Sequence, residues 1–178
     1  MGVIPVYLAG PDVFLPGAGE IGRVKRELCA RHGLDGRFPL DAPLPDDLSS
    51  RPRAEQGRLI FEGCVAMMRE CAAGIANLTP FRGPSADVGT AFEVGFLYAR
   101  RIPVFGYTGA EADYDQRVEV DGSMVEGFGL ADNLMLDRSA AEGGVPVVRV
   151  AAVREPTQAA FEAFEECVEV ASALLRRA

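Results

Sequence analysis

Val3-Ile4-Pro5-Val6-Tyr7-Leu8-Ala9, closed by Gly10-Pro11, is a short apolar run with a breaker pair behind it, the pattern of a buried strand. A helix is expected from about Gly19 to His32, with Ile21, Val24, Leu28 and Cys29 at helical spacing and Gly33 as its stop. Phe38 to Leu40 reads as a brief strand, and Asp41 to Arg53, rich in Pro and Asp, as a surface loop. The next helix spans about Ala54 to Glu70, placing Ile60, Cys64, Met67, Met68 and Cys71 on one stripe. Gly74 to Leu78 is a strand, Val88 to Arg100 a helix, and Ile102 to Tyr107 a strand. Residues 109–144 are Gly- and Asp-rich with little periodicity apart from Leu134-Met135-Leu136, and 109–127 read as a mobile flap. Val145 to Val150 is the last strand and Thr157 to Arg177 the last helix.

Short apolar strands alternating with helices of three turns or more specify βαβ units. The expectation is an α/β fold: a three-layer sandwich, one domain over residues 1–178, with a central, mostly parallel sheet of about five strands. Such sheets bind ligands beyond the carboxyl ends of their strands, which directs attention to residues 10–17, 78–87 and 107–135.

The chain's 178 residues, 48% hydrophobic and 25% charged, are ordinary for a globular protein. A net charge of −8 with scattered basic residues argues against nucleic acid as a partner. The four cysteines show no CxxC spacing and read as reduced core thiols, so no metal centre is expected and a reducing compartment is favoured. The first residues lack the features of a signal peptide, and Val6 stands where a myristoylation motif needs Ser or Thr. No apolar run is long enough to span a membrane. The cytoplasm is the expected location.

Between Val88 and Ala99 the only formal charge is Glu93, with Gly89 one turn before it and Gly95 close by. A carboxylate in such a segment either lies on a narrow exposed edge or is buried with partners. Two glycines within one helix cost about 1 kcal/mol each relative to alanine, and close approach of a ligand or another element would account for them. Asp87 precedes the helix, as an N-cap, as a second acid converging on Glu93, or as both. The single histidine, His32, ends a helix and reads as solvated or dipole-compensating, so His-dependent triads are not expected. Paired carboxylates without histidine suit glycosidic-bond cleavage. Tyr7, toward the end of the first strand, either hydrogen-bonds a carboxylate or packs in the core. Phe14 either stacks on a planar ligand or plugs its loop. Gly17-Ala18-Gly19-Glu20-Ile21-Gly22 matches a dinucleotide-binding motif, but residues 10–16 separate it from the strand, so no such cofactor is expected.

Three segments together resemble the nucleoside 2-deoxyribosyltransferase family: Tyr7-Leu8-Ala9-Gly10-Pro11 with Val13-Phe14; Ile75 to Gly83 running into Asp87-Val88-Gly89-Thr90-Ala91-Phe92-Glu93-Val94-Gly95; and Phe128 to Met135. The resemblance implies a flavodoxin-like fold and a double displacement at the C1′ carbon of a deoxyribonucleoside, as in nucleotide salvage. It implies Glu93 as the nucleophile, Tyr7 as the residue that orients it, and Asp87 as the holder of sugar hydroxyls. Gly10, Phe14, Gly89 and Met135 match positions around the substrate. Asn133 matches a residue that reaches a neighbouring subunit's pocket to bind the 5′-hydroxyl, so self-association is implied. A deoxyribonucleoside and a free nucleobase are the implied partners, with no cofactor.

Two positions depart from the family pattern. Cys64 stands where members usually carry Asp or Asn in contact with the nucleobase, and Ala72 where they usually carry Asp. A thiol is a poor substitute for a carboxylic acid near neutral pH. Hydrolysis of the N-glycosidic bond of a deoxynucleoside or its 5′-monophosphate, and a nucleotide-binding module without turnover, are the alternatives to base exchange.

Overall fold

A computed structural model describes residues 3–141, 145–151 and 157–177. The aperiodic segment 109–144 and the domain span 1–178 therefore extend in part beyond the described residues. Five strands, β1 (Ile4–Ala9), β2 (Leu34–Arg37), β3 (Ala73–Asn77), β4 (Val104–Thr108) and β5 (Val148–Arg149), form one sheet in the order β2-β1-β3-β4-β5. Every pairing is parallel, with Tyr7 beside Arg37 on one side and Gly74 on the other. This is the flavodoxin-like order, and its topological switch point lies between β1 and β3.

Alternation along the central strands feeds two cores. Val6, Leu8, Ile75, Phe105 and Tyr107 face α1 (Ala18–Arg31) and α6 (Gln158–Leu175), where they meet Leu28, Cys29, Phe164 and Val168. Tyr7, Ala9, Ala76 and Val104 face the opposite layer, α2 (Arg53–Glu70) and α3 (Val88–Ala99), which contributes Met67, Met68, Val94 and Leu97. The near-continuous burial of β3 and β4 is what a sheet covered on both faces requires. The helix stripe expected on α2 is only partly inward, since Ile60 is exposed and Cys64 half-buried.

The strand expected at Phe38–Leu40 is corrected to Leu34–Arg37. Pro39 has no N–H to give a ladder, and Pro39–Asp41 instead form a 3-10 turn closed by the Asp41 carboxylate on the Phe38 amide at 3.2 Å. Phe38 packs beneath α1, where a Cβ on Gly22 would come within 2.6 Å of its ring. Two short helices, α4 (Tyr114–Arg117) and α5 (Leu134–Ser139), lie within the segment read as aperiodic. The Arg117 guanidinium donates to the carbonyls of Pro84, Ala112 and Ala131, fastening three loops at the carboxyl edge. The stretch read as a flap is thus anchored through Arg117, whereas Val120 and Met124 beyond it are almost fully exposed.

Beneath the first loop, Lys25 and Asp12 are both buried and pair at 2.7 Å. Lys25 also donates to the Tyr107 hydroxyl at 2.7 Å, and the Asn77 amide donates to both Asp12 oxygens at 3.2 Å. A buried ion pair persists only with its remaining donors and acceptors matched, and this one holds the 3-10 turn Pro11–Phe14 against β3 and β4. Gly10 is fitted to the same network: a Cβ there would lie 2.5 Å from the Asp12 carboxylate and 2.8 Å from Asn77. Gly17, the N-cap of α1, lies beyond this turn rather than at the strand end, so the dinucleotide motif has no strand-to-helix phosphate loop. Among the described residues no helix is long and apolar enough to cross a membrane.

Candidate active site

The α3 helix lies over β1 and brings Glu93 to Tyr7. The Tyr7 hydroxyl, fully buried, donates to Glu93 Oε1 at 2.6 Å. Glu93 is half-buried. Asp87 is the N-cap of α3, accepting from the amides of Gly89 at 3.0 Å and Thr90 at 3.3 Å through one oxygen, Oδ2. Asp87 is therefore the cap of α3, and its charge adds to the rise of the Glu93 carboxyl.

Burial is the largest influence on the Glu93 carboxyl and pushes it up from 4.5 to about 7; the Tyr7 hydrogen bond pulls the other way, and the Asp87 charge adds to the rise. Burial, the Glu93 charge and the hydrogen bond to Glu93 hold the Tyr7 phenol far above its ordinary range, so it remains a donor throughout neutral pH. The Cys64 thiol on α2 faces the same pair: burial raises it, Tyr7 opposes that rise, and the Glu93 charge adds to it. The cluster therefore holds an acid poised between its two forms, a permanent phenol donor and a neutral thiol. Such a carboxylate is suited to attack an electrophilic carbon.

The other expected positions divide. Gly89 is exposed, and a Cβ there would come within 2.9 Å of the Asp87 carboxylate, so it accommodates the cap. Nothing described lies within 4 Å of a Cβ on Gly95. Phe14 is 57% exposed and stacks on Phe81 at 5.7 Å, with the Arg82 guanidinium over both rings. Met135 is 74% exposed on α5. Asn133 caps α5 through the Met135 amide at 3.0 Å and donates to Glu126 at 2.8 Å. Ala72 is exposed at the amino end of β3, where its amide serves the sheet by donating to the Pro5 carbonyl at 2.8 Å. His32 contacts Glu165 at 3.0 Å, joining α1 to α6 away from this cluster.

A crevice of about 920 Å³ opens at the carboxyl ends of β3 and β4, between Leu15, Phe81, Arg82, Gly109, Glu111 and Arg117. Glu93 and Tyr7 do not line it, and the Phe81–Arg82 wall is shared with Phe14. Arg117 and the buried Asp132, which bind the surrounding loops, were not singled out from the sequence. An acid at position 132, between the apolar Leu130-Ala131 and Leu134-Met135, was the available signal.

The profile described as "Nucleoside 2-deoxyribosyltransferase" matches residues 6–135. An uncharacterized protein of Schizosaccharomyces pombe is 37% identical over 114 residues, 64% of this chain and 54% of that protein. The chain thus spans about half the length of the curated relative it matches. Among solved structures, the 2-desoxiribosyltransferase from Leishmania mexicana superposes with a TM-score of 0.66 at 30% identity, covering 92% of this chain and 97% of that one. The 2-deoxyribosyltransferase from Bacillus psychrosaccharolyticus shares the fold at 18% identity, with a TM-score of 0.53 over 76% of this chain and 81% of its own.

Proposed function

The chain belongs to the nucleoside 2-deoxyribosyltransferase family, and on that premise we propose that it moves 2-deoxyribose between nucleobases by double displacement at Glu93. One observation carries the reading: the only acid inside the apolar stretch of α3 is held by the Tyr7 hydroxyl at 2.6 Å.

In the first step a Glu93 carboxylate oxygen attacks C1′, the C1′–N bond breaks, and its electron pair leaves with the base, which takes a proton. In the second step a nitrogen of a different base attacks C1′, loses its proton, and displaces the carboxylate. Tyr7 fixes the rotamer of Glu93 and, by donating to it, favours the ionised form. Asp87 holds sugar hydroxyls, for which its Oδ1 is left by the cap. Gly10, Phe14 and Met135 border the substrate. Cys64 faces the base as a neutral thiol, so the departing base draws its proton chiefly from solvent.

Self-association is part of the same reading. Phe61, Phe92 and Phe96 form a chain of ring contacts across α2 and α3, with Phe61 and Phe92 about half exposed. A second copy covers this face and completes the pocket through Asn133; a single-subunit mass in sedimentation at micromolar concentration would contradict it. The free cysteines fit a reducing compartment, the cytoplasm, where salvage of deoxyribonucleosides takes place.

Incubation with a deoxynucleoside plus a different free base, followed by chromatography, tests the activity. A new nucleoside is expected, absent with Glu93→Ala. Free deoxyribose in its place indicates hydrolysis, and no product at all indicates a binding module.

A further inference from the structure

Asp132 is fully buried, and both of its oxygens are committed. Oδ1 accepts the Asn133 amide at 2.7 Å and the Ser85 hydroxyl, and Oδ2 accepts the Ala86 amide at 2.8 Å. The Arg117 guanidinium stands 4.0 Å from Oδ2 while donating to the carbonyls of Pro84 and Ala131 on either side. Three donors and a nearby cation are what a buried carboxylate requires. What they join is specific. Ala86 is the residue before Asp87, which caps α3, and Asn133 caps α5. The two caps, 46 and one residues distant from Asp132 in their anchoring bonds, are therefore keyed to one carboxylate.

We propose that Asp132 is the positioning residue for sugar recognition, setting where Asp87 and Asn133 stand; this rests on the deoxyribosyltransfer reading above. Asp87 has one oxygen engaged by its helix, so the direction of the other follows from the backbone at Ala86 and Asp87. Asn133 is fixed in the same way through its own amide. Asp137 is the natural control. It is also buried and accepts a neighbouring amide, that of Ala131 at 2.8 Å, but its bond reaches neither cap.

The test is steady-state base exchange by Asp132→Asn, Ser85→Ala and Asp137→Asn, using a 2′-deoxynucleoside and its 3′-deoxy analogue. Asp132→Asn has the same size but offers an amide where a carboxylate oxygen accepted. Its KM for the deoxynucleoside should rise about tenfold with kcat little changed, the mark of lost uniform binding. The preference for substrate carrying the 3′-hydroxyl should shrink with it. Ser85→Ala, which removes one donor without burying a new group, should shift KM in the same direction by less, and it remains informative if Asp132→Asn does not fold. An unchanged KM in Ser85→Ala and in folded Asp132→Asn overturns the role of Asp132, as does an equal rise in Asp137→Asn. Absence of exchange in the wild-type protein instead sinks the reading on which the role rests.

Discussion

The Tyr7 hydroxyl and the Glu93 carboxylate, 86 residues apart in sequence, meet at 2.6 Å on the face of the sheet covered by α2 and α3. A hydrogen bond to a charged group contributes about 1.5–3 kcal/mol. Tyr7→Phe removes that donor, so the carboxyl should titrate higher still and its orientation should loosen. Exchange at pH 7 is expected to fall about 10- to 100-fold in kcat/KM, the rate equivalent of that energy, and the pH profile should shift upward. An unshifted profile would show that the contact has no part in catalysis.

Glu93 must be ionised to attack, so activity should climb with pH through about 7, the value to which burial pushes it. Stability runs the opposite way. The folded carboxyl keeps its proton to a higher pH than the unfolded one, so stability is full below about 4.5 and declines as pH rises to about 7. Glu93→Gln should remove this decline, becoming more stable than wild type by up to about 3 kcal/mol at pH 8. Urea unfolding of both proteins at pH 5 and pH 8 measures it; equal stabilities at both values would contradict the buried-acid account.

Asp87 adds to the rise at Glu93 by its charge. Asp87→Asn keeps a capping side chain but removes that charge. The activity limb should therefore move to lower pH while KM for the nucleoside rises, the reverse in pH of Tyr7→Phe. A pH–rate comparison of the two variants decides it, and shifts of the same sign would refute the assignment.

Cys64→Asp places a proton donor where the thiol now faces Tyr7 and Glu93. Cleavage of poorly leaving bases should accelerate relative to good leaving bases, and the second acid should push the Glu93 limb upward. Single-turnover rates across a series of bases report this. An unaltered series would place position 64 outside the base contact.

The order of layers and the position of the lone acid in α3 were legible in the sequence because each rests on local patterning. The alternation in β1 places Tyr7 on one face, and Glu93 is conspicuous as the only charge in its segment. The short strand β2 was misplaced because Phe38 and Leu40 look like strand residues until Pro39 is seen to close a turn. The helices α4 and α5 have too few turns to establish a period. Asp132 and the Lys25–Asp12 pair were illegible for a different reason: their burial depends on hydrogen-bond partners from distant segments, Ser85 and Ala86 for the one, Asn77 and Tyr107 for the other. Spacing records no such long-range matching.

Intact-protein mass spectrometry after incubation with a deoxynucleoside, without an acceptor base and after rapid acid quenching, tests the covalent role of Glu93 most directly. The account predicts wild-type protein carrying one added deoxyribosyl group, mapped by peptide digestion to Glu93 and absent in Glu93→Gln. Rapid release of free base in a single turnover with no adduct on Glu93, or with the adduct on another residue, would contradict it.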